Sequence, residues 1–192
     1  MRGADKAMTM LAGKPLIQHV IERLRPQVDE LLINGNGDPS RFAGFGCQVV
    51  RDEMADFPGP LAGIIAALQW TKIKRPDSGW LVSCACDCPL VPSDLANRLI
   101  RAALRADVPI AVAASGRRHH PVVAAWHSDL RLDADELLRA RELRKVDDLV
   151  ESFPNLRVEF AAEAFDPFFN INTPEDLARA EALIADGIQS DA

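Results

Sequence analysis

Three short apolar runs end in, or are followed at once by, side chains that can hold a nucleotide or a metal. Asn34 and Asn36 close the run LLING (31–35), Asp52 follows CQVV (47–50), and Asp87 follows WLVSCA (80–85). A carboxylate together with phosphate oxygens is the donor set that a hard divalent cation accepts. An amide both donates and accepts, as contact with a nucleotide requires. An aspartate just ahead of a proline also forms ordinary turns, so the informative feature is the coincidence of three such positions.

Asp87 lies within CACDC, where Cys84, Cys86 and Cys88 alternate around it. In a strand that period of two puts all three thiols on one face, whereas zinc-binding cysteines are usually spaced two to four residues apart. The cysteines are therefore expected to line a buried strand and its exit as small apolar residues. With Cys47 they are expected to be free thiols, and the chemistry is expected to belong to the carboxylate.

Three further groups complete the set. In FPGPLAGIIAAL, Gly59 and Pro60 turn the chain into a helix whose start can face an anion, with Gly63 allowing close approach in its first turn. In FFNINTPEDL, Asn170 and Asn172 stand two apart on an extended segment, so both point the same way. His119 and His120 lie in RRHHPV, a basic stretch that reads as a loop, and as neighbours they diverge. They fit a solvated loop or a substrate contact better than a metal.

The elements that must position these groups alternate between strand and helix. Besides the three runs above, PIAVAA (109–114), VVAAW (122–126) and RVEF (157–160) read as strands. Between them, a helix from Pro15 carries Leu16, Val20, Ile21 and Leu24 on one face until Pro26 interrupts it. A second helix has Ser93 as N-cap and Leu95, Leu99, Ile100 and Leu104 on one face. A third opens on Thr173 with Pro174 first and Asp176 in capping-box position, and stops at Gly187. Residues 133–152 read as one or two surface helices. The alternation predicts an α/β fold, three-layered and Rossmann-like, with a mostly parallel central sheet. In such sheets ligands bind beyond the carboxyl ends of the strands, where the residues singled out above are expected to gather.

The chain has 192 residues, 48% of them apolar, which suits a single domain over 1–187 with a disordered tail at 188–192. Its net charge of −6 is the wrong sign for a protein that binds phosphate backbones, so nucleic acid is not an expected partner. No apolar run is long enough to span a bilayer and no signal-peptide pattern opens the chain, so no membrane association and a cytoplasmic location are expected.

With those residues placed, the chain resembles the molybdenum cofactor guanylyltransferases, of the wider nucleotidyltransferase group. The resemblance rests on GADKAM, LAGKPLIQHVIERL, QVDELLINGNGD, VVRDEMADFPGPLAGI, CDCPLVPSDL, RHHPVVAAW and FFNINTPEDLARAE, which together span most of the chain. It implies transfer of GMP from GTP to molybdenum-molybdopterin, with release of pyrophosphate and Mg²⁺ as cofactor. It implies that Lys6 meets the nucleotide phosphates, that Asn34 and Asp52 bind nucleotide, and that Asp87 binds nucleotide and Mg²⁺. Lys6 and Asp87 would be the catalytic pair. Gly59, Pro60, His120, Asn170 and Asn172 would lie toward the pterin substrate. Molybdopterin-loading proteins and recipient molybdoenzymes are the implied transient partners.

Relatives in this family begin with a strand ending in a LAGG loop and an arginine, followed by MGG-x-DK. This chain starts at MRGADK, with Arg2 where relatives have glycine. The first strand and most of the phosphate-cradling loop are thus expected to be absent through a start placed downstream of the true one. The expected consequences are exposed sheet edges, lower stability and weak activity. Two alternatives stay open: transfer of another nucleotide such as CMP from CTP, or a non-catalytic protein that holds the molybdenum cofactor. Retention of Lys6, Asn34, Asp52 and Asp87 weighs against the second.

Overall fold

The structure is a computed structural model that describes residues 6–52, 59–130, 143 and 145–187. A short hairpin, β1 (Met10–Leu11) and β2 (Lys14–Pro15), leads into α1 (Leu16–Leu24). Pro15 stands just ahead of α1, which buries Leu16, Ile17, Val20, Ile21 and Leu24 on one stripe, and Pro26 falls in the 3₁₀ turn that ends it. Next come β3 (Leu32–Asn34), β4 (Gln48–Val50), α2 (Pro60–Lys74), β5 (Trp80–Ser83) and α3 (Leu95–Ala106). The chain closes with β6 (Ile110–Ser115), β7 (Arg118–His127), α4 (Val146–Glu151), β8 (Asn155–Phe160) and α5 (Pro174–Ala185).

Strands β5, β7, β6 and β8 form one sheet in that order, in which β7 runs against the other three. Strands β3 and β4 form a separate parallel pair. No ladder joins the two sheets among the described residues, but α2 packs against both β3 and β5 and so spans them.

The layers follow from the period-two alternation of β6, all six of whose residues are buried. Ile110 and Val112 face one cluster with Leu61, Ile64, Ile65 and Leu68 of α2 and Val146, Leu149 and Val150 of α4. Ala111 and Ala113 face the other, with Val20 and Leu24 of α1 and Leu95, Leu99 and Ala103 of α3. Helices on both faces of a sheet in which three of four strands run the same way are what the strand-helix alternation predicts. Because each fully buried leucine or isoleucine contributes about 1.5–3 kcal/mol, the two clusters set the positions of the strand ends. Trp126 is fully buried, and its Nε1 donates to Ser83 Oγ at 2.9 Å, which ties β7 to β5.

Several boundaries differ from the expectation. The strand at 80–85 stops at Ser83, and the strand expected at 122–126 starts at Arg118. Helix α3 opens after Asp94 and not Ser93, because the Asp94 carbonyl accepts the first helical hydrogen bond, from Arg98 N at 2.9 Å. Leu104 is 62% exposed, so the buried stripe of α3 runs through Ala96, Leu99 and Ala103 instead. Thr173 caps α5 as expected, with the reciprocal bonds of a capping box to Asp176. Of the helices expected over 133–152, α4 is present at 146–151, and 131–142 and 144 lie outside the described residues. So do the tail at 188–192 and Arg2.

Candidate active site

Two polar groups form at the strand ends. In the first, the parallel register pairs Asn34 with Val50, which brings Asp52 beside the end of β3. Asn34 Nδ2 donates to Asp52 Oδ1 at 2.7 Å and to the Val50 carbonyl at 3.2 Å. Asn36 Nδ2 donates to Asp52 Oδ2 at 2.8 Å, and Asn36 Oδ1 accepts from Asp52 N at 3.1 Å. Each carboxylate oxygen is thus held by one amide. Asn34 also lies against the first turn of α2, where a Cβ on Gly63 would come within 2.2 Å of its Oδ1. Gly59 and Pro60 start that helix, with Gly59 at φ 139°, a conformation that suits glycine.

The second group surrounds Asp87, which is 9% exposed. Cys88 N donates to Ala85 O at 3.3 Å, closing the turn that presents Asp87, and the Asp87 carbonyl accepts from Ile171 N at 3.0 Å. That backbone bond lays the 170–172 segment alongside Asp87. With Ile171 fully buried, Asn170 and Asn172 both turn to the other side, as their spacing predicts. Asn170 Nδ2 donates to Asp87 Oδ1 at 2.8 Å. Lys6 Nζ forms an ion pair with Asp87 Oδ2 and donates to Asn170 Oδ1 at 3.0 Å and to Asn172 Oδ1 at 2.5 Å. An ammonium has three protons, so these three contacts use all of them. The backbone N–H groups of Asn172 and Thr173 both point at the Asp176 carboxylate and hold its pKa below the usual range.

One apolar cluster connects the two groups. Ala7, next to Lys6, packs with Ile17, Ile21 and Ile33, and Cys86 and Val49 border the same cluster. The elements carrying Lys6, Asn34 and Asp87 therefore share a single packed support.

The cysteines do not share one face. With β5 ending at Ser83, Cys84, Cys86 and Cys88 follow the strand; Cys84 and Cys88 pack beneath α3, whereas Cys86 borders the Ile33 cluster. None of the four cysteines is in a disulfide. Burial pushes the Cys84 thiol up to about 12 and raises Cys88 as well, so both are protonated and poor as nucleophiles or ligands. Among the described residues no group of three or more His, Cys, Asp or Glu could hold a metal.

His119 and His120 lie in β7 and not in a loop. They diverge as expected: His119 Nε2 lies 2.7 Å from Asp147 Oδ1, and His120 Nε2 lies 2.7 Å from Ser115 Oγ. Ser115 in turn donates to Asp166 Oδ1 at 2.8 Å. Ser115 and Asp166 were not among the expected site residues. The available signals were a serine closing the PIAVAA run and an aspartate four residues before Asn170.

A three-layer α/β fold with carboxylate, amide and ammonium groups at the carboxyl edge is the arrangement of a nucleotidyltransferase. Its fold is similar to the 2-C-methyl-D-erythritol 4-phosphate cytidylyltransferase of Thermus thermophilus, at a TM-score of 0.66 and 22% identity over 94% of each chain. The chain belongs to the MobA-like NTP transferase family, whose model matches residues 1–154. It is 50% identical over 183 residues to a molybdenum cofactor guanylyltransferase of Rhodopseudomonas palustris, covering 95% of this chain and 87% of the relative. Among solved structures it is similar to molybdopterin-guanine dinucleotide biosynthesis protein A from Archaeoglobus fulgidus, with TM-score 0.70 and 28% identity over 96% of this chain and 92% of that one. The protein is an enzyme of nucleotidyl transfer in molybdenum cofactor biosynthesis. No helix among the described residues is long and apolar enough to cross a membrane.

Proposed function

We propose that the chain transfers GMP from GTP to the phosphate of molybdenum-molybdopterin. An acceptor phosphate oxygen forms a bond to the α-phosphorus of GTP, the bond from that phosphorus to the β-phosphate oxygen breaks, and pyrophosphate leaves. The acceptor phosphate is already ionised at neutral pH, so the step needs no strong general base, and positioning with charge stabilisation carries it. The observation that carries this reading is the Lys6–Asp87–Asn170–Asn172 group. Lys6 has all three protons engaged within the protein. A triphosphate entering the site would exchange at least one of these partners for a phosphate oxygen, placing a positive charge where negative charge grows as pyrophosphate departs.

The same group fits Mg²⁺. Asp87 offers a carboxylate, and the Asn170 and Asn172 Oδ1 atoms now turned to Lys6 are further hard oxygen donors. Mg²⁺ typically takes one or two protein oxygens and completes its shell with phosphates and water. Asp87 would hold the ion, which would supply charge neutralisation on the phosphates. Asn34 and Asp52 would bind the nucleotide, Asp52 using the carboxylate lone pairs that the amides leave open. Gly59, Pro60, His120, Asn170 and Asn172 would border the pterin. A cytoplasmic location fits four cysteines without a disulfide, and passage of the product to molybdoenzymes follows from the reaction.

Pyrophosphate release from GTP and from CTP, each with molybdenum-loaded molybdopterin, tests this reading. Preference for GTP and dependence on the acceptor are expected. Equal use of CTP would overturn the assignment of the base, and release without acceptor would overturn the transfer.

A further inference from the structure

A second polar chain lies at the same edge of the sheet. Strand β7 pairs with β5 only through Ala124–His127, so its first residues overhang the end of β5 on the side where Asp87 emerges. His120 sits in that overhang. Its ring centroid lies 4.7 Å from that of Phe168, whose carbonyl accepts from Cys88 Sγ at 3.6 Å. Phe168 therefore touches both His120 and the residue after Asp87, two positions before Asn170. The same aspartate that binds Ser115 shapes this turn: Asp166 Oδ1 accepts from Phe168 N at 2.9 Å, and its carbonyl accepts from Phe169 N at 3.0 Å.

Proton counting along the chain determines the state of the histidine. Ser115 is 4% exposed, and its hydroxyl has one proton. A carboxylate can only accept, so that proton goes to Asp166. The 2.7 Å contact with His120 must then be donated by Nε2. Burial holds the His120 pKa below the ordinary histidine range, with Arg118 and His119 acting in the same direction against Asp166 and Glu159. The ring is neutral at neutral pH, so Nδ1 keeps its lone pair. Nδ1 meets no donor among the described residues.

We propose that Asp166 and Ser115 are positioning residues that fix His120 as its Nε2–H tautomer, and that His120 Nδ1 accepts a hydrogen bond from a ring or amino N–H of the pterin. The side of the site supports a pterin over the nucleobase. Asn34 and Asp52 belong to the separate β3–β4 pair, whereas His120 is on β7, which pairs with β5 in the four-stranded sheet. Naming the donor a pterin rests on the guanylyltransferase reading; the tautomer does not.

The test uses the whole chain labelled with ¹⁵N-histidine. Long-range ¹H–¹⁵N spectra at neutral pH should show His120 protonated on Nε2 and bare on Nδ1. Ser115→Ala should release the ring into a mixture of tautomers, whereas Asp166→Asn, which keeps an acceptor oxygen, should retain one tautomer. Adding a pterin monophosphate should shift the Nδ1 signal, and adding GTP should not. In turnover, His120→Gln keeps an N–H for Ser115 but moves the acceptor off the Nδ1 position onto an amide oxygen, and should raise KM for molybdenum-molybdopterin about tenfold with KM for GTP unmoved. A proton on Nδ1, an Nδ1 signal that follows GTP or neither ligand, or an unchanged pterin KM in His120→Gln would overturn the proposal. Should the chain fail to use GTP at all while Nδ1 still responds to the pterin, the guanylyltransferase reading falls and this one stands.

Discussion

Gly63 in the first turn of α2 and Asn34 at the end of β3 occupy interlocking positions: a Cβ on Gly63 would lie 2.2 Å from Asn34 Oδ1. A helix-interior glycine costs roughly 0.5–1 kcal/mol against alanine, so this position gives up helix stability to seat an amide. Gly63→Ala should therefore separate stability from binding. Displacing Asn34 removes its 2.7 Å bond to Asp52 and should raise KM for GTP about five- to tenfold. The gain in helix propensity should offset the local clash, leaving stability within about 1 kcal/mol of the parent. Steady-state kinetics beside denaturant unfolding checks both halves.

Lys6→Met should lower kcat by about 10²-fold or more, since it removes a donor aimed at developing charge. Asp87 would keep only the Asn170 amide among its side-chain partners seen here, apart from a 3.8 Å contact from Cys88 Sγ. Single-turnover measurements of pyrophosphate release separate this loss from any change in GTP affinity.

The thiols should divide by environment. Cys84 and Cys88, with pKa raised by burial, should resist alkylation in the folded protein. Cys47, half-buried and with its Sγ 3.5 Å from Arg25 Nη2, should react first. Cys88→Ala should cost about 1–2 kcal/mol through lost packing, with no change in bound zinc. Timed alkylation read by mass spectrometry, with zinc analysis of the variant, checks this.

His120 gives a pH signature. Its folded pKa is depressed, mainly by burial, so the unfolded chain binds more protons as pH falls through the ordinary histidine range. The stability contribution is present above the unfolded pKa of about 6.5 and is lost as pH falls toward the folded value. His120→Gln should flatten that part of the stability profile, and urea unfolding across mildly acidic to neutral pH measures it.

Much of this arrangement was legible because local pattern controls it. The apolar runs located the strands, Thr173 and Asp176 marked a helix start, and the two-residue spacing of Asn170 and Asn172 put both amides on one side of Ile171. The errors came from long-range packing. Its basic residues made RRHHPV read as a loop, yet Arg118–His127 is a strand, and a strand tolerates proline at an irregularity. The β6–β7 register shifts between Val112 and Ala113, where the pairing passes from Ala124 to His120 across Pro121. Leu104 fits the helical period but stands 62% exposed near the end of α3. Ser115 and Asp166 are 51 residues apart, and no local pattern links them. Asn34 and Asp52 stood out singly at strand ends, but only the parallel register of β3 and β4 shows that they bond to each other.

In the proposed guanylyl transfer, Asp87 is the residue that organises the phosphates. Pyrophosphate release from GTP with molybdenum-molybdopterin, compared between the parent chain and Asp87→Asn at matched folding, tests it most directly. Acceptor-dependent release in the parent, with GTP preferred over CTP, and loss of Mg²⁺-dependent release in Asp87→Asn are expected. Equal rates in the two proteins would contradict it.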